Sequence, residues 1–204
     1  MTARKARTKA KPRADSIRNR ERLLVAAASV FGANAAQASL EAVARGAGLG
    51  IGTLYRHFPS REDLFEAVYR HEIDQLFALA EKLSTAKDPV ASLRKWLHAN
   101  VRLAATKKGM IEALQLSAYG SSELKTYSFD RLTSAIALLL DRGVALGALR
   151  EDVTPEEVFR ALVGTLYSQG GDNWQTGAIR LVDIFVDGLR SRSTKVRAAG
   201  SIHR

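Results

Sequence analysis

The sequence predicts an all-α protein of about nine helices, and three observations lead to this prediction. Apolar residues recur at three- and four-residue intervals along most of the chain, which is the spacing of one helix face. Residues that favour helix N-termini and residues that end helices separate these stretches. No segment shows the alternation of apolar and polar residues that is typical of a half-buried strand.

The first third of the chain predicts three helices in close succession. The first is capped by Asp15 or Ser16 and carries apolar residues at helical spacing. A short second helix begins after Ser39, whose hydroxyl can accept a hydrogen bond from the first turn. A third short helix fits residues 51–57, and Pro59 closes it. A small three-helix unit therefore precedes the larger part of the chain.

Longer helices are predicted beyond this unit. Ser60, with Asp63 three residues later, resembles a capping box and opens a long helix that joins the two parts. Asp88 followed by Pro89 opens the next helix. We expect the Lys-Lys-Gly sequence at residues 107–109 to interrupt that helix, because glycine is a poor helix former.

The last part of the chain contains a polar segment and three further helices. Residues 117–128 are polar and contain glycine, which predicts a loop or a fraying helix end. A helix over residues 129–146 follows. Thr154 and Pro155 mark the start of the next helix. The last two helices, at about residues 156–169 and 177–189, are apolar on more than one face, so we expect them to pack against a partner.

Positive charge is concentrated at the two ends of the chain. Residues 1–22 hold nine Lys or Arg and two acidic residues, and residues 190–204 hold five Lys or Arg and no acid. Residues 23–189 hold 17 basic and 19 acidic residues. A basic arm beside a nearly neutral body suits a polyanion, because each Lys or Arg that pairs with a phosphate releases a counterion. A solvated tail that aids solubility is the alternative.

Several classes of site and location are excluded by composition. The chain contains no cysteine, so disulfides, Cys-ligated metals and thiol nucleophiles are excluded. No apolar run approaches the roughly 18 residues that a membrane span needs. We therefore expect a cytoplasmic protein with no membrane partner.

The glycines at the end of the second predicted helix could suggest a nucleotide pocket, but their context does not. Gly48, Gly50 and Gly52 lie at alternate positions. A dinucleotide-binding motif needs a preceding strand and a third glycine at the position of Thr53, and a P-loop needs Gly-Lys-Ser/Thr. Neither context is present.

The same stretch is better explained as a helix-turn-helix. Two short helices joined by a glycine-containing turn form this motif, and its second helix is exposed because it must enter a major groove about 12 Å wide. Leu54 and Phe58 would anchor that helix in the core. The side chains that could contact phosphates or base edges are Ile51, Thr53, Tyr55, Arg56 and His57. An ordinary surface turn is the alternative.

Four stretches in this part of the chain also carry a family resemblance. They are LLVAAASVF, SLEAVARGAGL, GTLYRHF and SREDL, in this order. With them, residues 17–68 resemble the DNA-binding region of the tetracycline-repressor (TetR) family of bacterial transcription regulators. The resemblance implies a homodimer on a palindromic double-stranded operator. The DNA contacts that it implies are Ser39, Gly50, Ile51, Gly52, Thr53, Tyr55, Arg56, His57 and Arg61, with Gly50 contributing only its backbone N–H.

The rest of the chain resembles the family only in its helical pattern. The resemblance implies a small-molecule effector in a cavity between helices, and a four-helix bundle formed by the last two helices of two subunits. An intramolecular hairpin is the alternative for those helices. Candidate effector-binding residues are the polar or aromatic residues on otherwise apolar helices, namely Trp96, Asn100, Gln115, Tyr119 and Tyr167. Residues of this kind are more often core or interface residues than ligand contacts, and that role is the alternative for each of them.

The sequence thus predicts a sequence-specific DNA-binding regulator, more specifically a repressor that an effector releases from its operator. A nonspecific architectural DNA-binding protein and an enzyme with a helical active site are the alternatives. The histidines lack metal-binding spacing and no nucleophile motif occurs, so we predict no catalytic residue, metal or cofactor. The predicted divisions are a basic disordered arm (1–15), a helix-turn-helix domain (16–62), a ligand-binding and dimerisation domain (63–189) and a basic tail (190–204).

Overall fold

The computed structural model describes residues 10–33, 38–114, 116, 121–167, 171 and 173–191 of the 204-residue chain. These residues form eight α-helices, close to the nine predicted. They are α1 (Ala10–Ala33), α2 (Leu40–Gly46), α3 (Ile51–His57), α4 (Arg61–Ser84), α5 (Pro89–Leu114), α6 (Ser122–Ala145), α7 (Pro155–Tyr167) and α8 (Trp174–Gly188). Within the described ranges the β-structure is one isolated bridge between Leu149 and Arg190. The all-α class is confirmed.

Side-chain caps start several of these helices where the sequence predicts them. The Ser39 hydroxyl accepts from Ala42 N–H at 3.1 Å and starts α2. Ser60 and Asp63 form the predicted capping box of α4, in which each side chain accepts a hydrogen bond from the backbone N–H of the other residue. These caps satisfy N–H groups that have no partner within the helix. Because α4 starts directly after Ser60, only three residues separate it from the end of α3.

The starts of α1 and α6 differ from the predictions. Helix α1 begins at Ala10, so residues 10–15 of the predicted disordered arm are helical. Ala, Lys and Arg are strong helix formers, and the first turn tolerates a proline. Helix α6 begins at Ser122 because the Ser121 hydroxyl caps it, accepting from Leu124 N–H at 3.1 Å. The second half of the predicted loop at residues 117–128 is therefore helical.

The predicted interruption of α5 is wrong, because this helix runs unbroken through residues 107–109. A single glycine costs a helix only about 1 kcal/mol, which packing can offset. Gly109 is buried where α5 crosses α1, and a Cβ atom there would overlap the carbonyl oxygen of Phe31. Glycine at this position thus marks a close helix contact and not a helix end.

Two hydrophobic clusters form the core. The head core contains buried residues of α1, α2, α3 and the first turns of α4, together with Met110 and Leu114 of α5 and Leu124 of α6. The body core contains the remainder of α4 and α5 with α6, α7 and α8. We call α1–α3 the head and α4–α8 the body. Both α4 and α5 contribute to the two cores, and so they connect head and body.

Helix α8 is buried on one side only. Ala178, Val182 and Val186 are buried in the body core, whereas Leu181 and Ile184 are 42% and 68% exposed. None of the helices in the described ranges combines the length and hydropathy that a membrane span requires.

Candidate nucleic-acid interface and internal cavity

The turn between α2 and α3 has the geometry of a helix-turn-helix. Gly48 has φ of +63°, a left-handed conformation that favours glycine, and its N–H donates to Arg45 O at 2.9 Å. The Leu49 N–H donates to Ala44 O at the same distance. Gly50 and Gly52 do not share this conformation, and a Cβ atom at either would meet open space. The three glycines therefore form a turn followed by an open helix surface.

Helix α3 buries one face and exposes the other. Leu54 and Phe58 are buried in the head core, as the sequence predicts. Tyr55 is 48% exposed, and its large apolar ring would ordinarily be buried in a soluble protein. The residues on the accessible side are Gly50, Ile51, Gly52, Tyr55 and Arg56, which are exposed, and Thr53 and His57, which are half-buried. Seven of the nine predicted DNA-contact residues thus lie on one short segment.

Arg56 is oriented along this surface by its own helix. Its Nη2 donates to Thr53 Oγ1 at 2.9 Å and its Nε donates to Gly52 O at 3.2 Å. A guanidinium group has five N–H donors, so three remain for a phosphate or a base edge. These contacts reduce the rotamer entropy that Arg56 would lose on binding.

The other two predicted DNA-contact residues are at helix starts. Ser39 is half-buried and caps α2, and its hydroxyl hydrogen stays available for donation. Arg61 is the first residue of α4, and its Nη1 donates to Leu114 O at 3.3 Å. Arg61 therefore contacts α5 in addition to any role at the surface.

A cavity of about 720 Å³ lies within the body. Its walls come from α4, α5, α6, α7 and α8, so residues far apart in sequence line it. Phe129 and Phe159 pack edge to face, with ring centroids 5.3 Å apart, and form part of the apolar wall. Cavities of this size and character accommodate drug-sized small molecules.

The charged residues of the cavity wall are three lysines and one glutamate: Lys107, Lys108, Lys125 and Glu112. Lys107 is half-buried between two tyrosines. Its Nζ donates to the Tyr167 hydroxyl at 3.3 Å and lies 5.0 Å from the centre of the Tyr69 ring. Lys108 Nζ lies 5.8 Å from the centre of the Trp174 ring. The cavity wall thus combines apolar surface with a positive region.

Only some of the five predicted effector residues are found in the cavity wall. Asn100 and Tyr167 line the cavity. Trp96 does not line it, since this side chain is fully buried in the body core and its indole N–H donates to Leu76 O at 2.8 Å. Trp96 is therefore a core residue, and its packing explains its presence on α5. Gln115 and Tyr119 lie outside the described residues.

Sequence reasoning missed the lysines of the cavity wall and all of its aromatic residues except Tyr167. Asn100, Ala104, Lys107 and Ile111 follow helical spacing and form one wall of it. That spacing was the available signal, but the predicted interruption of the helix at residues 107–109 concealed it. The contributions of α4, α6 and α7 have no local signal in the sequence.

A polar cluster joins α4 to α6 beside the cavity. Arg70 forms ion pairs with Glu66 at 2.9 Å and Glu123 at 3.4 Å, and its guanidinium lies over the Tyr127 ring. The Tyr127 hydroxyl donates to Asp74 at 2.5 Å. Burial and this hydrogen bond raise the pKa of Tyr127, so the phenol stays protonated and remains a donor. A change in the spacing of α4 and α6 would have to rearrange this cluster.

Two family descriptions match this chain. Residues 23–68 match the family described as bacterial regulatory proteins, tetR family. Residues 88–191, about half of the chain, match the C-terminal domain of SbtR-like transcriptional regulators.

Individual proteins are similar over most of their length. The TetR transcriptional regulator SCO0520 from Streptomyces coelicolor is 36% identical, with a TM-score of 0.73, and the match covers 85% of this chain and 99% of that one. The TetR regulatory protein from Mycobacterium vanbaalenii is 29% identical, with a TM-score of 0.67 and coverages of 87% and 98%. The transcriptional repressor KstR2 from Mycolicibacterium smegmatis is 28% identical over 155 residues, which are 72% of this chain and 76% of that protein.

Proposed function

Since this chain belongs to the TetR family of bacterial transcriptional regulators, we propose that it binds a palindromic operator as a homodimer and is released by a small molecule in the body cavity. It is a DNA-binding regulator and not an enzyme. The observation that carries the proposal is the exposed face of α3, which presents Tyr55 and Arg56 outward from a helix anchored by Leu54. The relatives named KstR2 are repressors, and we propose the same sign of regulation here.

In this proposal, α3 lies in the major groove. Arg56 has free donors that suit guanine O6 and N7 or a phosphate, and Ile51 offers an apolar contact for a thymine methyl group. The remaining predicted contacts would be to phosphates, and they would fix the register of the protein on the DNA. They come from the side chains of Ser39, Thr53, Tyr55, His57 and Arg61 and from the backbone N–H groups of Gly50 and Gly52.

The outer face of α8 supports a dimer. Ile179, Leu181 and Ile184 are large apolar residues exposed on this helix. A second copy of the chain that packs α7 and α8 against the same helices would remove this surface from water. Two-fold symmetry would then present two copies of α3 to half-sites that lie about 34 to 36 Å apart.

Release by an effector follows from the position of α4. Tyr69 of α4 lines the cavity, and only three residues separate the end of α3 from the start of α4. A ligand that changes the spacing of α4 and α6 would therefore shift the head relative to the body. Effector and DNA would weaken each other reciprocally, by a coupling typically of about 1 to 3 kcal/mol.

The test is selection of bound fragments from random duplex DNA, followed by titration of Arg56→Ala on the selected site. We expect a palindromic sequence, and we expect Arg56→Ala to weaken binding to it by about 1 to 3 kcal/mol, the range for one specific base contact. Arg142→Ala is the matched control, because it removes an exposed arginine from α6. Unchanged affinity of Arg56→Ala would refute the role of Arg56, and equal recovery of all sequences would favour an architectural protein.

A further inference from the structure

We infer that the ligand of the body cavity is an amphiphilic carboxylate, with its apolar part in the buried portion and its carboxylate at Lys107. This inference rests on the proposed function, because it names the chemical class of the effector for the same cavity. Three features of the cavity wall support it: the apolar buried portion, the excess of positive charge, and the cluster of donors around Lys107.

The buried portion of the wall is apolar. Its side chains are those of Phe65, Leu103, Leu124, Leu132 and Leu162. Of the two buried polar residues, Ser128 donates its hydroxyl hydrogen to Leu124 O at 2.5 Å, and Asn100 Nδ2 uses one of its two N–H groups to donate to Trp96 O at 2.9 Å. A charged or strongly polar ligand group would lose its hydration there and would find at most the second N–H of Asn100 as a donor. The buried part of the ligand should therefore be hydrocarbon.

Positive charge dominates the accessible part of the wall. Three lysines and one glutamate line the cavity, a net charge of +2 at neutral pH. Lys107 is half-buried, and Lys108, Lys125 and Glu112 are exposed. Low-dielectric walls focus the field of such charges and favour a ligand of opposite sign.

Lys107 provides a place for the carboxylate. It projects from α5 between Tyr69 of α4 and Tyr167 of α7, and its ammonium donates to the Tyr167 hydroxyl. A carboxylate could accept from the ammonium and from a phenol O–H together, and charge-assisted bonds of this kind are the stronger ones. Such a ligand would also contact α4, the helix that leads to the head.

A cationic ligand is disfavoured by the same wall. Aromatic faces are the groups that bind quaternary ammonium ligands. Here the faces of Tyr69 and Trp174 already lie next to Lys107 and Lys108. A cation would have to displace these lysines and would meet a net positive charge.

The experiment compares three probes that share one twelve-carbon chain: dodecanoate, 1-dodecanol and dodecyltrimethylammonium. The two ionic probes are titrated into the full chain below their micelle concentrations and 1-dodecanol below its solubility limit. Binding is measured by calorimetry and tryptophan fluorescence. Trp174 lines the cavity and so reports occupancy. We expect dodecanoate to bind at least about tenfold more tightly than 1-dodecanol, as for one charge-assisted hydrogen bond, and the ammonium probe to bind most weakly.

Variants assign the preference to Lys107. Lys107→Met keeps most of the aliphatic stem without the charge, so we expect it to bind dodecanoate and 1-dodecanol within about twofold of each other. Lys107→Arg should keep the preference. Lys95→Met is the matched control, because Lys95 is an exposed residue of the same helix outside the cavity wall. The inference is overturned if 1-dodecanol binds as tightly as dodecanoate, if no probe binds, or if Lys107→Met retains the preference.

A second measurement separates this inference from the proposed function. Dodecanoate and 1-dodecanol are each added to the protein bound to its selected operator. If dodecanoate is preferred by the cavity but leaves operator affinity unchanged, release by this ligand class fails and the preference stands. If 1-dodecanol binds more tightly and releases the DNA, effector release stands and the carboxylate inference fails.

Discussion

The surface of α3 and the cavity of the body are built in opposite ways. The surface comes from one segment of seven consecutive residues, Ile51–His57, with a preceding turn. The cavity is lined by five helices, from Phe65 in α4 to Trp174 in α8. A binding surface on one local element can therefore be predicted from sequence, whereas a cavity depends on contacts between distant segments.

Head and body also differ in what holds them together. The short helices α2 and α3 are attached to the rest of the head through apolar side chains such as Val43 and Leu54. In the body, α8 is attached to α5 by apolar packing and by ion pairs of Arg94 with Asp183 and Asp187, at 2.8 and 2.6 Å. The head should therefore respond most to loss of apolar volume, and the α5–α8 contact should also respond to pH.

The largest effect is expected for Leu54→Ala in the head. Leu54 is the buried anchor of α3, and truncation of a buried leucine typically costs about 2 to 5 kcal/mol of unfolding free energy. We expect this loss in urea unfolding followed by circular dichroism, together with reduced operator affinity because α3 loses its anchor. Leu138→Ala, on the exposed side of α6, is the control and should change stability little. Equal losses for the two variants would contradict the anchoring role of Leu54.

The accuracy of the sequence predictions follows the same division. The bounds of α2 and α3 and the capping box at Ser60 were predictable, because turn glycines and caps act within a few residues. The course of α5 through Gly109 was not predictable, because this glycine is explained by its close contact with Phe31, which lies 78 positions earlier in the chain. That error concealed Lys107 from the candidate residues of the cavity. The division between domains at residues 62 and 63 stays a prediction.

A smaller effect is expected for Gly109→Ala, at the contact between head and body. The added methyl group would overlap the Phe31 carbonyl, so α1 and α5 must move apart. Overpacking of this kind costs about 1 to 3 kcal/mol. Thermal unfolding checks the loss, with Gly188→Ala as control because a Cβ atom there meets open space. If Gly109→Ala is as stable as the control, the α1–α5 contact is looser than the structure indicates.

The smallest effect is expected from acid at the α5–α8 contact. The hydrogen bond from Arg94 lowers the pKa of Asp183 below its ordinary value; burial opposes this shift, and His98 adds to it. Because the folded-state pKa is below the unfolded one, the stabilisation is present above about pH 4 and is lost as the pH falls through the folded-state pKa. Both tryptophans of the chain, Trp96 and Trp174, lie in the body, so their fluorescence reports this region.

Asp183→Asn should consequently show a shallower loss of body stability below about pH 4 than the natural protein, because its amide does not titrate there. Asp141→Asn, which changes an exposed carboxylate of α6, is the matched control and should keep the natural slope. Far-ultraviolet circular dichroism reports all the helices and should show a smaller difference between the variants than tryptophan fluorescence does. If the stability of Asp183→Asn falls with pH as steeply as that of the natural protein, the ion pairs of Asp183 do not stabilise the body. The contact of α8 with α5 then depends on apolar packing alone.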